Sequence, residues 1–443
     1  MRKVLIYSLL LIAGLIVSQF LAGAGGDFIK LATMFCLSFI MIHVGYEFEI
    51  DKSRPKIYAV DYGVAATAAA FPWIFCALYF VYVMMPSGLW GHPDAWKEAL
   101  LTGRFSSPTS AGVLFSMLAA AGLAATWVFK KARILAIFDD LDTILLMIPL
   151  KIMMVGFKWQ LAVIIIVIVI LLWMAWRYLH VLKIPVSWPF VFLYAAALVL
   201  ICEAIYLGSK AIDKSVPIHL EVLLPAFVLG CMLARPAGAN PHADDHREGH
   251  EEGPESPGEQ RVSTIISACF MIFVGLSMPA IVGATGPVVD TQPAIAAVAE
   301  EVEEGAAAIG LLPEAFADET PKKILDYAGA SPADVAAKDQ FPGWGMIAFH
   351  VLMITLVSNI GKMFPAFCYR KEAHWKERLA VAIGMFPRGE VGAGVLVISI
   401  SYGISGPALT VAVLSLALNL LLTGVFILIV KKLIASTPKP ALA

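Results

Sequence analysis

Two adjacent carboxylates, Asp139 and Asp140, stand in the stretch Ala136-Ile137-Phe138-Asp139-Asp140-Leu141-Asp142-Thr143-Ile144, inside an apolar run over residues 132–155. A run of that length crosses a bilayer as a helix. A charged side chain at mid-membrane costs roughly 2.5–3.5 kcal/mol on insertion scales. A chain that keeps two there must pair them, solvate them or use them. Oxygen ligands suit hard cations, so the pair is a candidate site of proton and cation exchange. Asp142 follows Asp139 by three residues, on roughly the same helical face. Two readings of it stand: a third titrating group, or an acid paired with Lys151 or water.

The counter-charge is expected from Lys362, in Ser358-Asn359-Ile360-Gly361-Lys362-Met363. At about 1.5 Å per residue, the aspartates lie roughly 10–12 Å from the inner end of their span and Lys362 roughly 8 Å from the inner end of its own. The depths match, and a lysine facing a carboxylate holds both charges in the membrane. The competing expectation is that Lys362 snorkels to the inner surface.

Two further polar patches interrupt apolar runs: Ser106-Ser107-Pro108-Thr109-Ser110-Ala111-Gly112 and Phe386-Pro387-Arg388-Gly389-Glu390-Val391-Gly392. Pro108 and Pro387 each fall near the membrane centre, where proline breaks the helical ladder. Free backbone groups at that depth are tolerated only where they are buried in protein or line a cavity. The hydroxyls of Ser107, Thr109 and Ser110 are expected as oxygen ligands beside Asp140. Arg388 and Glu390, two apart, do not face each other on a helix; a structural role is expected for both. Glu203 and His350 are minor candidates, and Glu47, Glu49 and Asp51 are expected to pair with Lys52 and Arg54 at the interface.

The elements that position these residues follow from composition. The 443 residues are 59% hydrophobic and 15% charged, with mean hydropathy +0.80, which describes a polytopic membrane protein and excludes a soluble enzyme. The net charge of −2 gives no sign of nucleic-acid binding. Cys36, Cys76, Cys202, Cys231, Cys269 and Cys368 are scattered in apolar runs and read as small buried hydrophobes. Hydropathy marks about twelve spans: 4–23, 28–49, 58–85, 98–121, 132–155, 160–182, 187–208, 218–234, 262–283, 344–367, 376–402 and 407–431. The first is read as a span rather than a signal peptide. Basic residues such as Lys130, Lys131, Arg133, Arg370, Lys371, Lys431 and Lys432 place both termini in the cytoplasm of an inner (plasma) membrane protein by the positive-inside rule.

The chain divides into a first membrane half (1–235), a cytoplasmic linker (236–261) and a second half (262–443) with an outer insertion at 284–343. The linker, rich in Pro, Gly, Glu and His, is expected to be a solvated connection. Its His242, His246 and His250, with His219 upstream, are candidates for pH sensing or metal binding. Within the insertion, 294–308 and 332–337 are expected as surface helices. The halves echo one another. Ile40-Met41-Ile42-His43-Val44-Gly45 resembles Phe270-Met271-Ile272-Phe273-Val274-Gly275, and the fourth span's Pro-broken patch resembles the eleventh's. Five spans per repeat make the repeats inverted, and interrupted segments at matching positions point to a transporter site.

Residues 136–141, with Lys362 and Pro387-Arg388-Gly389-Glu390-Val391, resemble the cation:proton antiporter superfamily, in the branch holding bacterial sodium/proton antiporters and Kef-type potassium/proton systems. Val44-Gly45-Tyr46-Glu47 and Phe273-Val274-Gly275-Leu276-Ser277 are similar to recurring segments of that family. The resemblance implies an all-α fold of two inverted repeats, a core domain with crossed discontinuous helices, and a dimerisation domain. It implies that Asp140 binds the cation, while Asp139 pairs with Lys362 and helps carry protons. Two departures stand out: Ser-Ser-Pro-Thr-Ser replaces a patch in which many relatives carry an aspartate, and Asp142 is an extra acid. No nucleotide-binding domain is expected after the last span.

The expected function is secondary antiport of a monovalent cation, Na⁺ in first place, against protons. No enzyme activity, cofactor or bound metal is expected; the ions are cargo. The expected partners are monovalent cations, protons, membrane lipid and a second copy of the chain, with no nucleic acid. Two alternatives are carried: a sodium-coupled organic solute symporter, and a pH-responsive channel or sensor. A membrane aspartyl protease needs its acids on separate helices, which an adjacent pair does not provide.

Overall fold

The computed structural model describes residues 2–21, 26–46, 48, 55–212, 218, 220, 222–234, 257–278, 327, 329–401 and 404–437, without the side chains of 2, 21, 26, 27, 55, 155, 257–260, 390, 397, 400 and 401. Linker residues 236–256, residues 284–326, the histidines at 219, 242, 246 and 250, and the cluster Glu47, Glu49, Asp51, Lys52 and Arg54 lie outside them, while the last five residues expected in the linker, 257–261, are helical and open the helix Pro257–Leu276. Apolar runs too long for a buried strand fold as helices, since a helix alone satisfies its backbone within one segment. They are α1 (Arg2–Leu21), α2 (Gly26–Tyr46), α3 (Pro55–Tyr79, continued by a π turn Phe80–Met84), α4 (Pro93–Gly103), α5 (Ala111–Ala120), α6 (Trp127–Val155), α7 (Trp159–Arg177), α8 (Trp188–Ile212), α9 (Leu223–Met232), α10 (Pro257–Leu276), α11 (Pro332–Asp339), α12 (Trp344–Gly361), α13 (Trp375–Gly384), α14 (Glu390–Ser401) and α15 (Pro407–Ala435).

Seven helical segments among the described residues are long and apolar enough to cross a membrane. The other expected spans differ for physical reasons. The fourth and eleventh are split into α4/α5 and α13/α14; α6, 29 residues long, carries the charges that make it unusual; α9 and the apolar part of α10 are short. Ile166, Val169 and Trp173 of α7 and Leu193, Leu200 and Ile201 of α8 are all more than half exposed. Soluble surfaces rarely carry apolar area on that scale; a bilayer accommodates it. The chain is an integral membrane protein.

Two helix pairs show how the repeats are built. Gly14 of α1 and Gly275 of α10 face each other: a Cβ on Gly14 would strike the Ile272 carbonyl, and one on Gly275 the Leu11 carbonyl. Gly45 of α2 and Gly230 of α9 repeat the arrangement, each blocked by the other helix's backbone at Phe227 and Ile42. Small residues let helices in a membrane pack at backbone distance. These pairs exchange under an inverted repeat that matches α1 with α9, α2 with α10, α3 with α12, α4/α5 with α13/α14, and α6 with α15. The contacts of α3 with α6 and of α12 with α15 exchange in the same way. By this pairing α9 belongs to the second repeat, so that repeat begins ahead of the 236–261 segment rather than after it.

The outer segment contributes one described helix, α11, where 332–337 is expected to be helical; none of its residues is buried. It is tied down beside α4. Lys338 Nζ donates to Glu98 Oε2 (2.9 Å), and the Tyr327 hydroxyl donates to the same oxygen (2.5 Å). Tyr327 also stacks on His92, with centroids 5.2 Å apart. Burial and the adjacent Glu98 push the Tyr327 phenol above its ordinary value. Burial works against the Lys338 charge, but Glu98 and Asp339 outweigh it and hold that ammonium above its ordinary value.

Candidate functional site

The site forms where the two broken spans cross. After Gly103 the chain makes one 3-10 turn (Arg104–Ser106), runs non-helically through Ser107–Pro108–Thr109–Ser110 and restarts as α5. Opposite it, α13 stops at Gly384 and α14 starts at Glu390, with Pro387 in the gap. The backbone N–H of Ser110 donates to the Pro387 carbonyl (3.0 Å), and the Thr109 hydroxyl donates to the Met385 carbonyl (3.0 Å). Gly389 lies against Ser110, where a Cβ would come within 3.0 Å of Oγ. Each break thus satisfies part of the other's unpaired backbone, as burial of non-helical chain requires.

Asp139, on α6, and Lys362, which follows α12, are both wholly buried. Lys362 Nζ donates to both carboxylate oxygens, at 2.9 Å to Oδ1 and 2.7 Å to Oδ2. The lysine does not reach the surface, so the snorkelling expectation is set aside. Gly361 brings it there: this glycine rests on the Pro72 backbone of α3 with no room for a Cβ. The backbone N–H of Thr109, at the entry to α5, donates to Asp139 Oδ2 (2.7 Å). The carboxylate therefore receives an ammonium and an N–H from the half-helix end, where the dipole favours negative charge. Asp140, next in the chain, is 6% exposed against 0% for Asp139. Both carboxylate oxygens of Asp140 are themselves buried.

The hydroxyls expected around Asp140 have other duties. Ser107 Oγ accepts from Arg104 Nη1 (2.6 Å) and donates to the Ala69 carbonyl (2.8 Å). Thr109 gives its hydroxyl proton to Met385, and Ser110 Oγ caps α5 by accepting from the Val113 N–H (3.4 Å). These residues build the crossing; their described bonds do not make them a ligand ring. A broken helix leaves backbone groups wanting partners, and nearby hydroxyls supply them first.

Arg388 lies at the crossing of the broken spans. It is wholly buried, and its guanidinium donates to the Ser106 carbonyl (2.9 Å), Asn359 Oδ1 (3.0 Å), the Phe386 carbonyl (3.1 Å) and the Ser358 carbonyl (3.2 Å). One fork thereby joins the fourth, tenth and eleventh spans. The side chain of Glu390 lies outside the described residues. Glu203 pairs with Lys30 (2.7 Å), and the His350 ring nitrogen shares a hydrogen bond with the Tyr79 hydroxyl (2.9 Å); neither meets the acid pair in these contacts. Four cysteines are buried, while Cys269 and Cys368 are half-buried.

Three site residues escaped the sequence reading. Arg104, wholly buried, donates to the Asp142 and Thr143 carbonyls (3.0 Å each) and lies 4.8 Å from the Trp73 ring. An arginine inside an apolar run was the readable signal. Asn359 donates to Asn419 Oδ1 (3.0 Å). Asn419 stands on α15 as Asp139 stands on α6: Thr423 donates back to the Asn419 carbonyl (3.1 Å), as Thr143 does to that of Asp139 (2.9 Å). The acid–lysine contact thus joins the two repeats, while the amide–amide contact lies within the second.

No protein-family model and no curated protein matches this chain. Among solved structures, that of the sodium proton antiporter MjNhaP1 from Methanocaldococcus jannaschii at pH 8 aligns with 95% of this chain and 91% of its own, at 14% identity and a TM-score of 0.51. The crossed broken helices and the inverted pairing of α1–α10 with α2–α9 therefore belong to a chain with the fold of that sodium/proton antiporter.

Proposed function

We propose that this protein is a secondary antiporter that exchanges a monovalent cation, Na⁺ in first place, for protons at the Asp139–Asp140 pair by alternating access. The observation that carries the reading is the wholly buried Lys362–Asp139 contact at the crossing of two broken helices, with the less buried Asp140 beside it. Such charges in a membrane interior mark ion or proton pathways. Lys362 gives two contacts to Asp139 and so holds that carboxylate's charge. Asp140 is then the group at which cation and proton exclude one another: ionised it draws a cation, protonated it releases one. Either ligand offsets its charge, and the loaded core crosses at lower cost than the empty one. Coupling follows from competition alone, with no nucleotide or redox chemistry.

The test is cation-driven proton flux in everted vesicles challenged with Na⁺, K⁺ and Li⁺ over about pH 6–9, the range in which tuned carboxylates and histidines titrate. Na⁺ is expected to dissipate an imposed pH gradient. Silence with all three cations would end the antiport reading. Na⁺-driven uptake of an organic anion without proton flux would put solute symport in its place.

A further inference from the structure

We infer that Asp142 is a proton-entry group, a third carboxylate that takes protons from a lateral cavity and passes them to the Asp139–Asp140 pair. The inference rests on the exchange reading above and adds a route to it. Asp142 is 2% exposed, yet it lines a cavity of 370 Å³ between α3 and α6, with Tyr62, Ala66, Thr67, Ala70 and Phe71. Its side chain shares a hydrogen bond with Tyr62, and Oδ2 has no hydrogen-bond partner among the described residues. A buried carboxylate oxygen is rarely left so without a use.

The cavity has the polar groups that water needs. Tyr62 and Thr67 contribute hydroxyls to a lining otherwise apolar (Ala66, Ala70, Phe71, Leu145 and Leu146), and Thr67 Oγ1 gives its proton to the Gly63 carbonyl (2.8 Å), which leaves its oxygen open to accept. The volume exceeds the ~30 Å³ share of one liquid water several-fold. The depth is right as well: Asp142 stands 15 residues into the 29-residue α6, about 22 Å along it at 1.5 Å per residue.

The turn that joins Asp142 to the pair is held rigid. Arg104 clamps the Asp142 and Thr143 carbonyls, and the Thr143 hydroxyl donates to the Asp139 carbonyl. Residues three apart on a helix have Cβ atoms about 5–6 Å apart, so Asp142 sits one turn from Asp139. The other charged or titratable groups facing it are Tyr62 from α3, Asp139 from its own helix, Arg104 from the turn after α4 and Lys362 from the end of α12. In the transfer, hydronium in the cavity gives one proton to the Asp142 carboxylate and becomes water. Asp142 then yields that proton to the acid pair as the cation leaves, and returns to the carboxylate.

The test compares two transport modes of the full chain in proteoliposomes: Na⁺/H⁺ exchange read by a lumenal pH dye, and isotopic Na⁺/Na⁺ exchange, which moves no proton. Asp142→Asn is expected to slow Na⁺/H⁺ exchange by about 10²-fold, the lower end of what a positioned proton carrier supplies, with Na⁺/Na⁺ exchange held within about twofold. Asp142→Glu is expected to restore the proton mode. Tyr62→Phe, which keeps the ring, is expected to move the pH profile of the proton mode and serves alone if Asp142→Asn does not fold. The inference fails if Asp142→Asn keeps wild-type Na⁺/H⁺ exchange across the pH range, if both modes fall together, or if Tyr62→Phe leaves the profile unmoved. A wild-type protein silent in both modes would overturn the exchange reading itself.

Discussion

Asp140→Asn is expected to abolish cation-driven proton flux and leave the protein folded. Asparagine keeps the size of aspartate but carries no charge and has no proton to exchange. Asp140 is the less buried member of the pair, and Lys362 directs its described hydrogen bonds to Asp139, so the Lys362–Asp139 contact is retained in the variant. The loss should therefore be one of turnover: a fall of at least about 10²-fold, by the measure of an essential proton-transfer group, with unchanged thermal unfolding in detergent. Proteoliposomes given a Na⁺ jump supply the readout. Full cation-dependent flux in this variant would remove Asp140 from the site.

The second large effect is on stability. Lys362→Met leaves the Asp139 carboxylate wholly buried, with the Thr109 N–H as its remaining described donor. Removing one partner of a buried ion pair costs about 3–5 kcal/mol, while replacing both by neutral groups is often close to neutral. The single variant should therefore unfold at clearly lower temperature. The double variant Asp139→Asn, Lys362→Met should recover most of the difference while remaining inactive. Scanning fluorimetry of the four proteins closes the cycle and gives the coupling of the pair. A Lys362→Met protein as stable as wild type would mean that the contact holds nothing.

These two residues were legible because charge in an apolar run is an energetic anomaly that no folding detail can hide. The broken spans were legible for a related reason, since a proline within a polar, glycine-containing patch removes a backbone donor where an apolar helix would otherwise run on. Arg104 carried the same signal as Lys362 but lies within the turn that ends α4, where an arginine reads as interfacial. Asn359 and Asn419 left no such mark, because an uncharged amide in a membrane costs less and stands out less. The hydroxyls of Ser107, Thr109 and Ser110 were legible as residues of the break but not in their bonding. Their partners Ala69 and Met385 are set by how distant segments pack, which spacing along one chain does not encode, whereas the Ser110–Val113 cap is local.

The central claim is that one carboxylate site serves both ions. It is tested most directly by isotopic Na⁺ binding to the purified wild-type protein as a function of pH. Competition for one proton at the shared site predicts an apparent Kd that is constant at high pH and rises about tenfold for each pH unit below the site's titration point. An apparent Kd independent of pH over that range would contradict the account.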